Sequence, residues 1–218
     1  MNKENNVYII VFSVIMVVVV GVSLAFVAQF TKPFQDANIR LEKMQNILSS
    51  VGIIVDRTTA EETYNKYITK SEVYKVDGSL QEGVDAFGID LANELKKPED
   101  QQLFPIYECK KEDGNYFILP MRGKGLWGPI WGYVSLKDDG ITVAGAVFDH
   151  SGETPGLGAE ISKAPFQEQF INKKIVDESG QFVSITVEKP GKLPEGYEYG
   201  VDGISGGTLT SVGVHNML

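Results

Sequence analysis

The segment Tyr133-Val-Ser-Leu-Lys-Asp-Asp-Gly-Ile-Thr-Val-Ala-Gly-Ala-Val-Phe148 contains two runs of strand-forming residues separated by a turn sequence. Tyr133–Leu136 and Ile141–Phe148 are rich in β-branched, aromatic and other apolar residues, which favour extended structure. Asp138-Asp139-Gly140 lies between them and is typical of a β-hairpin, because glycine readily adopts the backbone conformation of tight turns. The segment therefore predicts two adjacent antiparallel strands.

Further strand-like runs lie on both sides of this hairpin, and helix-like patterns lie mostly before it. The additional strands are predicted at Leu103–Cys109, Tyr116–Leu119, Ile175–Val176 and Phe182–Val187. Helices are predicted from Thr59 to about Ile68 and from Asp85 to Leu95, where apolar residues recur at helical spacing. Strands that follow one another through turns, with helices mostly before them, predict an α+β domain with a mainly antiparallel sheet and flanking helices.

The N-terminal region is apolar from Val7 to Val27, and no charged residue lies between Asn5 and Thr31. A helix of this length rises about 32 Å, enough for the hydrocarbon core of a bilayer. A cleaved signal peptide is the alternative, but its apolar region is usually shorter and follows a clearly basic stretch. We therefore predict a single transmembrane anchor that contacts the lipid bilayer through Val7–Val27.

The rest of the chain divides into two further predicted segments. Residues 32–52 are predicted to form a stalk helix that ends at Gly52, because apolar residues recur at three–four spacing from Phe34 to Val51. Residues 53–218 form the predicted globular domain, and residues 1–31 the anchor. Basic residues flank the anchor on both sides, so charge alone does not decide its orientation.

Charge and cysteine content exclude several classes of function. The net charge is −9, with acidic residues spread along the chain, which argues against nucleic acid and against anionic lipid surfaces as partners. The single cysteine, Cys109, excludes an internal disulfide and any multi-cysteine zinc or iron–sulfur site. We expect a lone buried thiol and no metal site.

Three glycine-rich segments interrupt the regular pattern, at residues 123–132, 151–158 and 200–207. One such cluster is usually a tight turn. Three clusters in a small domain predict a place where the backbone approaches something closely.

The third segment continues into Asp202-Gly-Ile-Ser-Gly-Gly-Thr208-Leu-Thr-Ser. Residues 209–218 have a helical pattern, so Thr208 is predicted to lie near a helix N-terminus, where free N–H groups and the helix dipole favour a phosphate. Gly206 and Gly207 leave the Thr208 hydroxyl accessible. A simple glycine-rich turn with Ser or Thr as N-cap is the alternative that these residues alone leave open.

This motif resembles the flavin-attachment motif of the FMN-binding domain family, in which FMN is joined to threonine by a phosphoester. The resemblance implies that Thr208 is the acceptor, and Thr210 is the close competitor. Gly207 stands where the family usually has alanine. The other motif residues expected to surround the cofactor are Asp202, Ser205, Gly206 and Leu209.

Two more segments resemble the same family. Glu153-Thr-Pro-Gly-Leu-Gly158 matches a loop that implies an apolar contact from Leu157 to the isoalloxazine and hydrogen bonds from Thr154 and Glu153 to its polar edge or within the loop. Gly156 and Gly158 are expected to let main-chain groups pack near the flavin. Trp127, in the first glycine-rich segment, is expected to line the flavin pocket, face a redox partner or pack in the core.

The resemblance also implies a function: electron transfer by one subunit of a sodium-pumping NADH:quinone oxidoreductase in the bacterial inner membrane, with the domain in the periplasm. Other membrane subunits are the implied partners, and a separate flavin transferase is implied for maturation. No catalytic residue is expected. The sequence has no strand-associated GxGxxG, so no NADH site is visible and no complete active site is expected on this chain alone. The alternatives are the G subunit of an Rnf-type ferredoxin:NAD complex, or an anchored flavin-binding module without a redox role.

Overall fold

The computed structural model describes residues 6–218, so the first five residues of the predicted anchor lie outside the described part of the chain. Two compact units are present: the first extends to Lys43, and the second is Met44–Leu218. Helix α1, Asn6–Ser50, forms the described part of the first unit and supplies the first residues of the second. Helix α1 continues through Pro33 without a break. The segments predicted as anchor and stalk therefore belong to one helix.

Within residues 6–218, α1 is the one helix that is long and apolar enough to cross a membrane. No residue in the most apolar part of this helix is buried. Helix α1 ends at Ser50, and a turn with Gly52 at φ +79 follows, across which the Ile53 N–H donates a hydrogen bond to the Leu48 carbonyl. A glycine at this position adopts the left-handed conformation without a steric penalty.

The second unit is built on a five-stranded antiparallel sheet in the order β1-β2-β3-β4-β5, which confirms the predicted fold class. Helix α2, Ala60–Tyr67, precedes the sheet. The strands are β1 Ile68–Lys75, β2 Leu103–Lys111, β3 Gly114–Lys124, β4 Pro129–Lys137 and β5 Val143–His150. Strands β4 and β5 form the predicted hairpin, with Gly140 at φ +66 in its turn.

Some local predictions were wrong. The predicted helix from Asp85 to Leu95 is two short pieces, a 3-10 turn at Ala86–Gly88 and α3 at Leu91–Glu94. The side chains of Asp85 and Asp90 each accept a backbone N–H two residues on, and these caps start two separate turns. The predicted strand Ile175–Val176 is reduced to an isolated bridge between Val176 and Phe182.

The C-terminal half covers one face of β4 and β5. Helix α4, Ala164–Gln167, and a 3-10 turn at Glu168–Phe170 place Phe166 and Phe170 against Phe148, with ring centroids 5.9 and 5.0 Å from it. Strands β6, Thr186–Glu188, and β7, Gly200–Asp202, form a small parallel pair. Helix α5, Thr208–Met217, follows and buries Val214 in the same core.

Candidate functional site

Thr208 is the first residue of α5, and its side chain is exposed to solvent. The preceding residue, Gly207, is the N-cap and has no side chain to satisfy the free N–H groups of the first turn. An uncapped helix start with an exposed hydroxyl is a favourable place for a phosphate group. The structure therefore places Thr208 in the environment that the sequence predicts.

The glycine-rich segment before Thr208 is held by side chains on both sides of it. Ser211 Oγ accepts a hydrogen bond from the Ile204 N–H at 2.9 Å, which ties the loop to α5. The carboxylate of Asp202 accepts the Gly191 N–H at 3.1 Å, and the Asp202 N–H donates to Gln169 Oε1 at 2.9 Å. Asp202 thus secures the end of β7, and the loop reaches Thr208 in a defined conformation.

Glu153 connects the other two glycine-rich segments to α5. Its side chain is buried, with 5% of its surface exposed. Oε2 accepts a hydrogen bond from Thr210 Oγ1 at 2.6 Å, and Oε1 accepts the Trp127 N–H at 2.8 Å. One carboxylate therefore joins the loop after β3, the loop after β5 and the first turn of α5.

Two glycines leave room for this carboxylate. A Cβ at Gly125 would lie 2.5 Å from Glu153 Oε1, and a Cβ at Gly158 would overlap both Glu153 Oε2 and Thr210 Oγ1. A side chain at either position would therefore have to displace the Glu153 carboxylate from its hydrogen bonds. The close approach predicted from the glycine-rich segments is, at these two positions, an approach to the Glu153 side chain.

The hydrogen bonds to Glu153 also set its charge state. Burial alone would raise its pKa, but hydrogen bonds from Thr210 and from the backbone N–H groups of Trp127 and Gly128 outweigh burial, and the pKa lies below its ordinary value of 4.5. Glu153 is therefore ionised at neutral pH and acts as a charged acceptor.

The loop at residues 151–158 reaches the segment before Thr208 through Leu157. A Cβ at Gly206 would lie 2.7 Å from Leu157 Cδ2, and Gly206 has φ +75. The Thr154 carbonyl accepts the N–H groups of Leu157 and Ala159, and the Gly156 N–H donates to Glu160 Oε1. These bonds fix the loop, while the Thr154 side chain stays exposed.

Apolar side chains around this junction remain accessible. Trp127 is 68% exposed, Leu209 is 60% exposed, and Leu157 is 42% exposed. Because Trp127 is exposed, it does not pack in the core, which was one of the three positions expected for it. Ser205 is exposed beside Thr208, whereas Gly207 and Gly158 are buried.

Thr208 also lines a cavity of about 420 Å³. The sequence prediction missed most of the residues that line it, among them Val187, Glu188, Lys189, Pro190, Ser211, Val212 and His215. The helical spacing from Thr208 could have indicated Ser211, Val212 and His215, which lie three, four and seven positions further on. No local pattern indicated residues 187–190, because they reach the site through the parallel pairing of β6 with β7.

Both histidines hold the backbone. His150 Nδ1 accepts the Glu153 N–H at 3.1 Å, and His215 Nδ1 accepts the Val187 N–H at 3.3 Å. Among residues 6–218 no group of three or more His, Cys, Asp or Glu side chains is placed to hold a metal ion.

A protein-family model described as the FMN-binding domain matches residues 125–218, which include every predicted site residue from Trp127 to Thr210. The fold and the site thus define a flavoprotein domain of the FMN-binding class. Curated relatives then narrow this class, and the chain belongs to the family formed by the C subunit of the Na+-translocating NADH-quinone reductase.

The relatives match over most of their lengths. The C subunit from Haemophilus ducreyi is 34% identical over 99% of this chain and 89% of its own, and that from Vibrio alginolyticus is 36% identical over 84% and 77%. A crystal structure of the C subunit from Parabacteroides distasonis is 43% identical, with a TM-score of 0.79 over 86% of this chain and 90% of that one. The chain is therefore an oxidoreductase subunit. Its family is that of the NADH-quinone reductase C subunit, and not that of the Rnf-type G subunit named as an alternative above.

FMN fits the residues that are present. The uncapped start of α5 offers N–H groups to a phosphate, the Thr208 hydroxyl is accessible, and apolar side chains lie exposed around Leu157.

Proposed function

We propose that this chain is a membrane-anchored electron-transfer subunit that carries FMN esterified through its phosphate to Thr208. The subunit would act in a sodium-pumping NADH:quinone oxidoreductase of the bacterial inner membrane. The observation that carries the proposal is the contrast between the exposed Thr208 hydroxyl at an uncapped helix start and the buried, hydrogen-bonded hydroxyl of Thr210. The names of the relatives support the same complex.

The residues at the site divide into those for the phosphate and those for the ring system. The first turn of α5, with Ser205 and Gly206 before it, would hold the phosphate through hydrogen bonds and the helix dipole. Leu157, Trp127 and Leu209 would cover apolar faces of the flavin, with Thr154 offering its hydroxyl to a polar edge. When bound, FMN supplies the electron-transfer chemistry, and the protein positions it and tunes it.

Attachment would require a separate flavin transferase with FAD as donor. Thr208 Oγ1 would form a bond to the phosphorus of the FMN half while the pyrophosphate bond breaks. AMP would leave, and the hydroxyl proton would pass to a base on the transferase. Other membrane subunits of the complex would then be the electron donors and acceptors of this one.

The first experiment is flavin fluorescence in a denaturing gel, using the chain co-expressed with a flavin transferase. Wild type should give a fluorescent band, and Thr208→Ala should give none. Thr210→Ser is the matched control and should keep the band, because it retains a hydroxyl for Glu153. A dark wild-type band in the presence of an active transferase contradicts the proposal, and a bright Thr208→Ala band moves the attachment elsewhere.

The membrane anchor and its orientation form part of the proposal and have their own test. The apolar part of α1 supports an anchor by length and composition. Alkaline extraction should leave the chain in the membrane fraction, and protease added outside spheroplasts should digest the FMN-binding domain. Release by alkali or an N-terminus beyond the apolar segment would indicate a signal peptide, and protection from protease would place the domain in the cytoplasm.

A further inference from the structure

Two threonines compete for the same modification. Thr208 and Thr210 both lie in the first turn of α5, and both follow the glycine-rich segment closely. Their hydroxyls are chemically equivalent. Whatever distinguishes them must therefore come from their surroundings.

Glu153 creates the difference in surroundings. The Thr210 hydroxyl donates its proton to Glu153 Oε2, and only 1% of the Thr210 surface is exposed. The Glu153 carboxylate is itself fixed by the Trp127 N–H and enclosed by Gly125 and Gly158. Because successive helical residues are rotated by about 100°, a helix that turns Thr210 inward turns Thr208 to the opposite side.

We propose that Glu153 is a positioning residue that determines the site of FMN attachment. By holding Thr210 in the interior, it withholds that hydroxyl from the transferase and orients α5 so that Thr208 alone is offered. This inference rests on the proposed flavinylation. It gives Glu153 a role in maturation instead of the contact with the flavin expected from its loop.

The chemistry of the transfer explains why burial decides the outcome. The attacking oxygen must approach the phosphorus of FAD from the side opposite the departing AMP, so a large substrate needs open space around the hydroxyl. A hydrogen bond to a carboxylate would make the Thr210 oxygen more nucleophilic if it were accessible. In its buried position no phosphoanhydride can reach it, and the same bond serves only to hold it.

The test compares wild type, Glu153→Gln, Thr210→Val and Thr210→Ser in the full-length chain co-expressed with the transferase. The readout is the fraction of folded protein with FMN on Thr208, measured by in-gel fluorescence and by fragmentation mass spectrometry of the C-terminal peptide. Glu153→Gln and Thr210→Val should each lower this fraction by about tenfold, and Thr210→Ser should restore it because the serine hydroxyl can still donate.

Glu94→Gln is the control for a purely structural effect. Glu94 is also buried, accepts the Leu103 N–H and pairs with Lys97, but it lies far along the chain from the three glycine-rich segments. It should lower the melting temperature without changing the FMN fraction. Moving FMN from Thr208 to Thr210 in Glu153→Gln would also support the proposal.

A fall of less than about threefold in folded Glu153→Gln, with all FMN still on Thr208, would overturn it. An equal fall in Glu94→Gln would reduce the role of Glu153 to general stability and would overturn it as well. A wild type without FMN is a different result, because it removes the proposed function itself.

Discussion

Helix α5 has two faces with very different surroundings. Thr208, Val212 and His215 lie on a face that is exposed to solvent beside the cavity. Thr210 and Val214 lie on the other face, where they are 1% and 0% exposed. Both faces begin with threonine, so the difference in accessibility arises from the neighbours of the helix and not from the residue type.

The buried face is defined by backbone as well as side chains. A Cβ at Gly213 would overlap the carbonyl oxygen of Lys124, and a Cβ at Gly123 would lie 2.9 Å from the Gly213 carbonyl oxygen. Helix α5 therefore packs against the end of β3 through a pair of glycines. This contact and the Glu153–Thr210 hydrogen bond fix the rotation of the helix, and the exposure of Thr208 follows from that rotation.

The largest effect is expected when a side chain is added to the buried face. Gly213→Ala should destabilise the domain by about 3 kcal/mol, because the new methyl group must displace backbone atoms of β3, and the higher helix propensity of alanine offsets only about 1 kcal/mol of the overlap. The measurement is the free energy of unfolding in urea.

Gly152→Ala is the matched control for this change. A Cβ added at Gly152 would have no atom within 4 Å, and Gly152 has no positive φ. The same substitution should therefore change stability by less than about 0.5 kcal/mol there. Equal stability of the two variants would show that α5 can move away from β3, and the account of the two faces would then be wrong.

A smaller effect is expected from exchanging the same residue on the two faces. Thr210→Val removes one hydroxyl from the buried face and should cost roughly 2 kcal/mol, because the Glu153 carboxylate loses a donor and cannot regain it from water. Thr208→Val makes the same change on the exposed face and should cost less than about 0.5 kcal/mol. Comparable losses in urea unfolding would contradict the difference between the faces.

The sheet could be predicted from the sequence where its strands are long and apolar. The hairpin of β4 and β5 could be predicted from two runs of strand-forming residues and from the turn sequence Asp138-Asp139-Gly140 between them. Strand β1 was missed because Ile68–Lys75 is mostly polar and exposed, with only Val73 buried. The strand predicted at Phe182–Val187 overlaps β6 only at its end, since β6 is Thr186–Glu188. Strand β7 and its parallel pairing with β6 were missed, because each strand has three residues and the pairing joins separate parts of the chain.

The site could be predicted only in part, for a related reason. Thr208 lies in a local motif next to a helix start, and both features are visible along the chain. The role of Glu153 is not local, because its partner Thr210 is 57 residues away. The glycines at 125 and 158 indicated a close approach, but the sequence could not show that a carboxylate of the protein fills that space.

The smallest effect is expected from removing the charge of Glu153, and its pH dependence tests whether that charge holds the buried face of α5. The pKa of Glu153 is lowered by its hydrogen bonds in the folded chain, so the carboxylate contributes stability above its unfolded value of 4.5, and this contribution is lost as the pH falls through the folded pKa. Glu153→Gln should therefore be less stable than wild type by roughly 1.5 kcal/mol at neutral pH, and the difference should shrink as the pH falls below 4.5.

Four other carboxylates also have lowered pKa values, and their stabilising contributions are lost with acid in both proteins, so that they cancel in the comparison: Asp77, Asp113, Asp139 and Asp177. Urea unfolding of wild type and Glu153→Gln across this pH range gives the difference directly. A difference that stays constant into strong acid would mean that the charge of Glu153 is not what holds Thr210. The hydrogen bond would then depend on packing alone, and the buried face of α5 would owe its position to the glycine contact with β3.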